Sequence, residues 1–314
     1  MAGEKSISIK IQRLPGRPLG GILRKYWSIY LLMFPGFLFF IVYRYIPMGG
    51  LIMVFKNYRI TRGIFASDWY GLQNFIDLFS APIFPMVIRN TILISLYKLV
   101  FGFPAPIIVA LLLNEINNIA FKRTLQTVLY LPHFISWVVM AGIINALLAP
   151  HTGAIPLFLQ RSFGIQLDLL MNPKNFVGLL VGSSIWKEVG WGSIIYLASI
   201  TSIDTELYEA ATVDGANRFQ QLLKITLPLL VPVIMTMLLL RLGNILNAGF
   251  EQILVMQNSL VFRVSEILDT YVYQRFLQGQ YAIGAASGLF KSVIGLCLVL
   301  ITNRVAKNFD QEVL

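Results

Sequence analysis

The chain has 314 residues, 56% hydrophobic and only 13% charged, a balance that describes a polytopic membrane protein and excludes an ordinary water-soluble core. Its net charge of +10 is dispersed beside apolar runs, which fits membrane topology rather than nucleic-acid binding. The single cysteine, Cys297, lies in an apolar run and excludes an intramolecular disulfide.

Residues 1–25 are polar and basic (Lys5, Lys10, Arg13, Arg17, Arg24 and Lys25), and Pro15, Gly16, Pro18, Gly20 and Gly21 oppose a helix, so a cytoplasmic tail is expected. A cleaved signal peptide is the rival reading. The apolar run that follows is too long for one, contains Pro35, and has no small-residue cleavage site after it. Crossing a bilayer takes about 20 apolar residues as a helix. Segments 26–45, 87–113, 127–148, 177–200, 225–248 and 282–302 meet that need. Residues 46–55 are apolar but short, and hold Pro47, Gly49 and Gly50, so they are expected at the outer interface. The predicted fold is all-α, with six transmembrane helices in a domain over residues 26–303 and a short cytoplasmic tail over 304–314.

Orientation follows from loop charge. With the N-terminus inside, the inner segments carry the basic tail, Lys122, Arg123, Arg218, Lys224, Arg304 and Lys307. The outer ones carry Lys56, Arg59, Arg62, Arg89, Arg161, Lys174, Arg263 and Arg275 over much longer loops. Both termini and the loop of residues 201–228 are then cytoplasmic. Outer-loop aromatics such as Trp69, Tyr70 and Phe75 fit either an interfacial belt or a surface that receives a partner protein.

Polar groups inside spans are costly and are expected to face the bundle interior or water. On one helix, Asn244, Asn247 and Glu251 fall within about 60° of circumference, and Ser183, Trp186, Gly190 and Ser193 within about 80° on another. With Ser136 and Trp137 of the third span they could line a sugar pathway, hydroxyls meeting hydrogen-bonding groups and C–H faces meeting indoles. The alternative is that the asparagines tie helices together and the tryptophans pack. A Glu188–Arg241 pair would neutralise two charges; His133 is expected to be hydrogen-bonded within the bundle; Lys98 and Lys291 need partners that the sequence does not name. No metal-ligand or nucleophile set is visible. Residues 284–292 (GAASGLFKS) approach a phosphate-binding loop, but no lysine directly follows the second glycine and the segment lies in a span. Small residues at a helix–helix contact explain it better.

The most informative stretch is Glu209-Ala210-Ala211-Thr212-Val213-Asp214-Gly215, followed by Ile225-Thr226-Leu227-Pro228. Asp204 is placed to N-cap a short helix, Gly215 to end it in the left-handed region, and Asn217 with Gln220 to form a capping box on a second. Ala210 and Ala211 would let another backbone approach closely.

That spacing resembles the signature of permease subunits of binding-protein-dependent ABC importers, with every signature position filled. Leu129-Tyr130-Leu131-Pro132, Trp186-Lys187-Glu188-Val189-Gly190-Trp191 and Gly288-Leu289-Phe290-Lys291-Ser292 resemble the carbohydrate-uptake branch, most closely its oligosaccharide and polysaccharide subfamily. Thr205 departs from it, standing where relatives often carry proline.

The resemblance implies a type I ABC importer permease fold in the bacterial inner membrane. It implies a heterodimer with a second, homologous permease, two ATPases that carry ATP and Mg, an extracytoplasmic solute-binding lipoprotein, and no enzymatic role or cofactor for this chain itself. Glu209, Ala210, Ala211, Asp214, Gly215, Ile225, Leu227 and Pro228 would couple to the ATPases. A non-sugar permease, an ion-driven transporter using Lys98, Glu188 and Arg241, and a membrane-embedded enzyme are the alternatives.

Overall fold

The computed structural model describes residues 19–307, with side chains over 25–304. Most of the basic tail expected over 1–25, and the end of the one expected over 304–314, lie outside the described residues. Among those described the structure is helical, apart from one antiparallel bridge between Lys56 and Trp69.

Contacts divide the chain after Ile52. The first unit holds α1 (Leu19–Phe40), which starts inside the expected tail: Gly20 and Gly21 occupy its opening turn. The non-helical Tyr26 (φ −113°, ψ 19°) then separates that turn from the apolar run. Residues 46–55, expected as a separate interfacial stretch, instead continue the helical path. A π-helical turn at Ile41–Tyr45 leads through Ile46–Met48 into the 3-10 turns of Gly49–Phe55. Leu32, Phe37 and Ile46 are exposed, as suits a lipid-facing helix.

In the second unit, α2 (Phe84–Gly102) runs through Phe103 into α3 (Pro104–Asn114), a 31-residue apolar path. The third expected span is not one helix. α4 (Ile119–Tyr130), a 3-10 turn (Leu131–Phe134) and α5 (Trp137–Leu148) meet at a bend of 110°. Pro132 has no amide hydrogen to continue the ladder, Ile135 is extended (ψ 133°), and Ser136 caps the new helix. α6 (Ala154–Phe163) is short. α7 (Pro173–Thr201), N-capped by Asn172, has 29 residues, about 43 Å of helix, and carries Lys187 and Glu188 along its length.

After α8 (Thr205–Val213) and α9 (Arg218–Gln221), a π-helical turn leads into α10 (Leu227–Gly243). The fifth expected span therefore ends early. Residues 244–249 break the helix before α11 (Phe250–Met256), so Asn247 and Glu251 do not continue the face that begins at Asn244. α12 (Leu268–Leu277) packs on α13 (Tyr281–Lys307). Ala286 and Ser287 are fully buried on α13, as expected of small residues at a helix contact. Among the described residues, five segments are apolar and long enough to cross a membrane when the bent pair counts as one; α7 has the length but an interrupted apolar run.

α7 is the hub. Its N-terminal half joins Ile94, Met140, Phe176 and Ile253 in one core, and its C-terminal end joins Ala110, Tyr196, Ile200 and Leu230 in a second. Gly190 is needed for this packing: a Cβ there would lie 2.0 Å from the Leu129 carbonyl oxygen, so α4 meets α7 backbone to backbone.

Candidate coupling loop and translocation cavity

The loop after α7 folds from local signals. Asp204 accepts from the Glu206 amide at 3.0 Å and starts α8. At its end the Ala216 amide bonds back to the Ala211 carbonyl (2.8 Å) and the Gly215 amide to that of Thr212 (3.0 Å). This double closure requires a left-handed residue, and Gly215 has φ +82°. Asn217 and Gln220 then exchange amide bonds of 2.9 Å in a reciprocal capping box that starts α9.

Side chains then tie the two short helices together and to α10. Buried Gln221 donates to the Thr212 hydroxyl (2.9 Å), and the Tyr208 hydroxyl lies 2.9 Å from that of Thr226. Leu207, Val213 and Phe219 remain exposed, Val213 at 88%. A cleft of about 640 Å³ runs between the helices, lined by Tyr208, Glu209, Thr212, Asn217 and Arg218. Ala210 lies exposed on α8 with Ala211 half-buried, and Asp214 closes that helix as its C-cap. Half-buried Ile225 and Leu227, with exposed Pro228, lead into α10. The result is a braced unit with an apolar, exposed tip.

The residues expected along a sugar pathway do not converge on one surface. Ser183, Gly190 and Ser193 are buried in helix contacts: the Ser183 hydroxyl bonds to the Leu179 carbonyl at 2.6 Å and that of Ser193 to Gly190 at 2.6 Å. Ser136 is the N-cap of α5, and Trp137 lies beneath the Lys187 ammonium, 5.5 Å from its ring centre. Trp186 lines a largely aliphatic cavity of about 660 Å³ with Ile144, Leu148 and Lys174. Asn244 and Asn247 line a different one of about 420 Å³ with Asp269 and Lys291, while Glu251 is exposed in the first turn of α11.

A further cavity, of about 600 Å³, lies between α3, α7 and α10 and is walled by Phe103, Pro106, Glu188, Trp191, Met237 and Arg241. Trp191 stacks on His133, with ring centres 4.7 Å apart and planes 2° from parallel. His133 Nδ1 lies 3.1 Å from Glu188 Oε2, so His133 is hydrogen-bonded inside the bundle as expected. The expected Glu188–Arg241 pair is absent: the broken third span brings the imidazole to Glu188 instead, and no ion pair joins Glu188 to Arg241. Lys187 holds the break in place, its ammonium donating to the carbonyls of Pro132 (3.3 Å), His133 (2.9 Å) and Ile135. Sequence reasoning passed over Trp191 as a wall residue. Its position one helical turn beyond Lys187 and Glu188 was the available signal.

The two unpaired lysines also find partners. Lys98 donates to the Ala248 carbonyl (2.8 Å) and to Gln252 Oε1 (2.5 Å), and Gln252 in turn donates to Ser183 (2.8 Å) and the Leu180 carbonyl (2.7 Å). Lys291 pairs with Asp269 at 2.6 Å and also reaches Asn247. No three metal-ligating side chains converge among the described residues.

The family model for the binding-protein-dependent transport system inner membrane component matches residues 102–314. The chain belongs to that family. It is 43% identical over 295 residues to Protein LplB of Bacillus subtilis (strain 168), covering 94% of this chain and 92% of that one. It is 42% identical over 292 residues to the polygalacturonan/rhamnogalacturonan transport system permease protein YteP of the same organism, covering 93% and 90%. Among solved structures it matches a chain of a bacterial ABC transporter involved in the import of the acidic polysaccharide alginate. That match has a TM-score of 0.86 at 38% identity and covers 93% of this chain and 99% of that one. Family and fold together make this chain an ABC importer permease of the multi-pass membrane type.

Proposed function

We infer that this chain is a permease subunit of an ATP-driven carbohydrate importer in a bacterial cytoplasmic membrane. It crosses the membrane six times with both termini inside, α7 being the span whose charges interrupt its hydropathy. It pairs with a second, homologous permease, receives cargo from an extracytoplasmic binding protein, and takes energy from two ATPase subunits on which ATP and Mg act. The relatives named for polygalacturonan/rhamnogalacturonan and alginate support carbohydrate as the cargo class.

The observation that carries the coupling role is the build of α8–α9. Polar bonds brace it internally, while Leu207, Val213 and Phe219 are exposed. Exposed apolar side chains on a rigid, capped element suit a protein contact. Closure of the ATPases would move this unit as one piece and pass the motion to α7 and α10, between which it is strung. Those two helices, with α3, wall the cavity of Glu188, Trp191 and Arg241, which we place on the cargo path.

The test is to replace Val213 and Phe219 singly by Asp. Both are exposed, so folding should change by no more than about 0.5 kcal/mol. The expected result is normal membrane abundance of the permease with loss of ATPase co-purification and of uptake. Normal co-purification and uptake in both variants would remove the docking role from this unit.

A further inference from the structure

Among the ionisable side chains on the helices around the cavity and on the neighbouring α13 are Lys98, Lys187, Glu188, Lys291 and Arg241. Four have partners within the chain. Lys98 and Lys187 donate to backbone carbonyls, Glu188 meets His133, and Lys291 meets Asp269. Arg241 is the fifth. It lies in the last turn of α10, is exposed into the cavity, and has no side-chain hydrogen bond or ion pair among the described residues. A cation at membrane depth without an acceptor is costly and marks a place where an acceptor arrives.

We propose that Arg241 is the carboxylate-binding residue of this cavity, and that the cargo is an acidic oligosaccharide, one built of uronate units. The inference rests on the reading that the cavity lies on the cargo path. A guanidinium presents parallel N–H donors that match a carboxylate two to two, which a hydroxyl cannot do. Trp191, pinned flat by its stack on His133, offers an apolar face to the sugar ring. Glu188 fixes the direction of the cargo: its carboxylate, held by His133, repels a uronate placed beside it and accepts from sugar hydroxyls instead. The cargo's carboxylate thus belongs on the Arg241 side. The local helix C-terminus favours a cation there but does not supply a bidentate acceptor.

The experiment uses the whole importer reconstituted in proteoliposomes, and compares uptake of trigalacturonate with that of its fully methyl-esterified, uncharged form. Wild type is expected to take up the acid in preference to the ester. R241Q should lower the acid-to-ester uptake ratio by about tenfold or more, the value of one charge-assisted contact, and R241K should fall between. W191A should lower uptake of both. The inference is overturned if wild type does not prefer the acid. It is equally overturned if R241Q lowers acid and ester alike, which would assign Arg241 a carboxylate of the partner permease, or changes neither. If W191A also changes neither, the cavity is off the path and the reading beneath the inference fails. If W191A lowers both and only the R241Q ratio is unmoved, the charge inference alone fails.

Discussion

Replacing Gly215 is the sharpest perturbation of the coupling unit. At φ +82° this residue lets the Ala216 and Gly215 amides close on Ala211 and Thr212. The space around it is open, so a new side chain meets nothing, and the penalty is conformational alone. Holding valine in the left-handed region costs about 2 kcal/mol, because its branched Cβ crowds the backbone. That is roughly a 30-fold shift towards loops in which α8 and α9 no longer meet at the same angle. Asparagine visits the same region readily and should shift the balance by no more than about threefold. The expected outcome is that G215V inserts in the membrane at wild-type abundance but loses cargo-stimulated ATPase activity and uptake, with G215N close to wild type. Equal activity of the two variants, whether both full or both lost, would refute the argument that backbone handedness at this residue sets the coupling angle.

Gly190→Ala places a methyl 2.0 Å from the Leu129 carbonyl oxygen, so α4 must move away from α7 at an expected cost of 1–3 kcal/mol; thermal unfolding of the purified complex should show it, whereas G192A, which would meet only the Pro106 ring at 3.0 Å, should cost less. Glu266, buried between α11 and α12 with Oε1 unpartnered, has its carboxyl pushed above the ordinary carboxylate range by that burial. The native state then holds a proton that the unfolded chain has released, so this contribution is intact below about pH 4.3 and is lost as pH rises towards the raised value. E266Q should flatten that slope in a melting-temperature series, and an unchanged slope would count against the burial argument.

What was legible in the sequence was local. Asp204, Gly215 and the Asn217–Gln220 box act within a few residues of themselves, and each cap formed as their chemistry dictates. The apolar runs were also legible, but their continuity was not. Pro132 and Ser136 carried a break signal that the surrounding hydropathy masked, and Gly243, Asn244 and Gly249 carried another that the helical spacing of Asn244, Asn247 and Glu251 concealed. Partners far apart in the chain were the least accessible. Glu188 was matched to Arg241 because their charges are opposite, whereas the third-span bend delivers His133, 55 residues away, to within 3.1 Å. Lys98 went unmatched for a related reason: a search for carboxylates finds neither a backbone oxygen nor an amide.

Those backbone oxygens bear on where this protein can flex. A broken helix in a membrane is commonly taken as a joint, since its freed carbonyls must otherwise borrow water or a neighbour. Here the bend before α5 is riveted to α7 through Lys187, and the turn before α11 is riveted to α2 through Lys98. Opening either bend would strip a buried ammonium of its acceptors. Both breaks are therefore fixed elbows that travel with the helices that hold them. The motion proposed to pass from the α8–α9 unit into α7 and α10 would then be taken up elsewhere, in the contacts between whole helices.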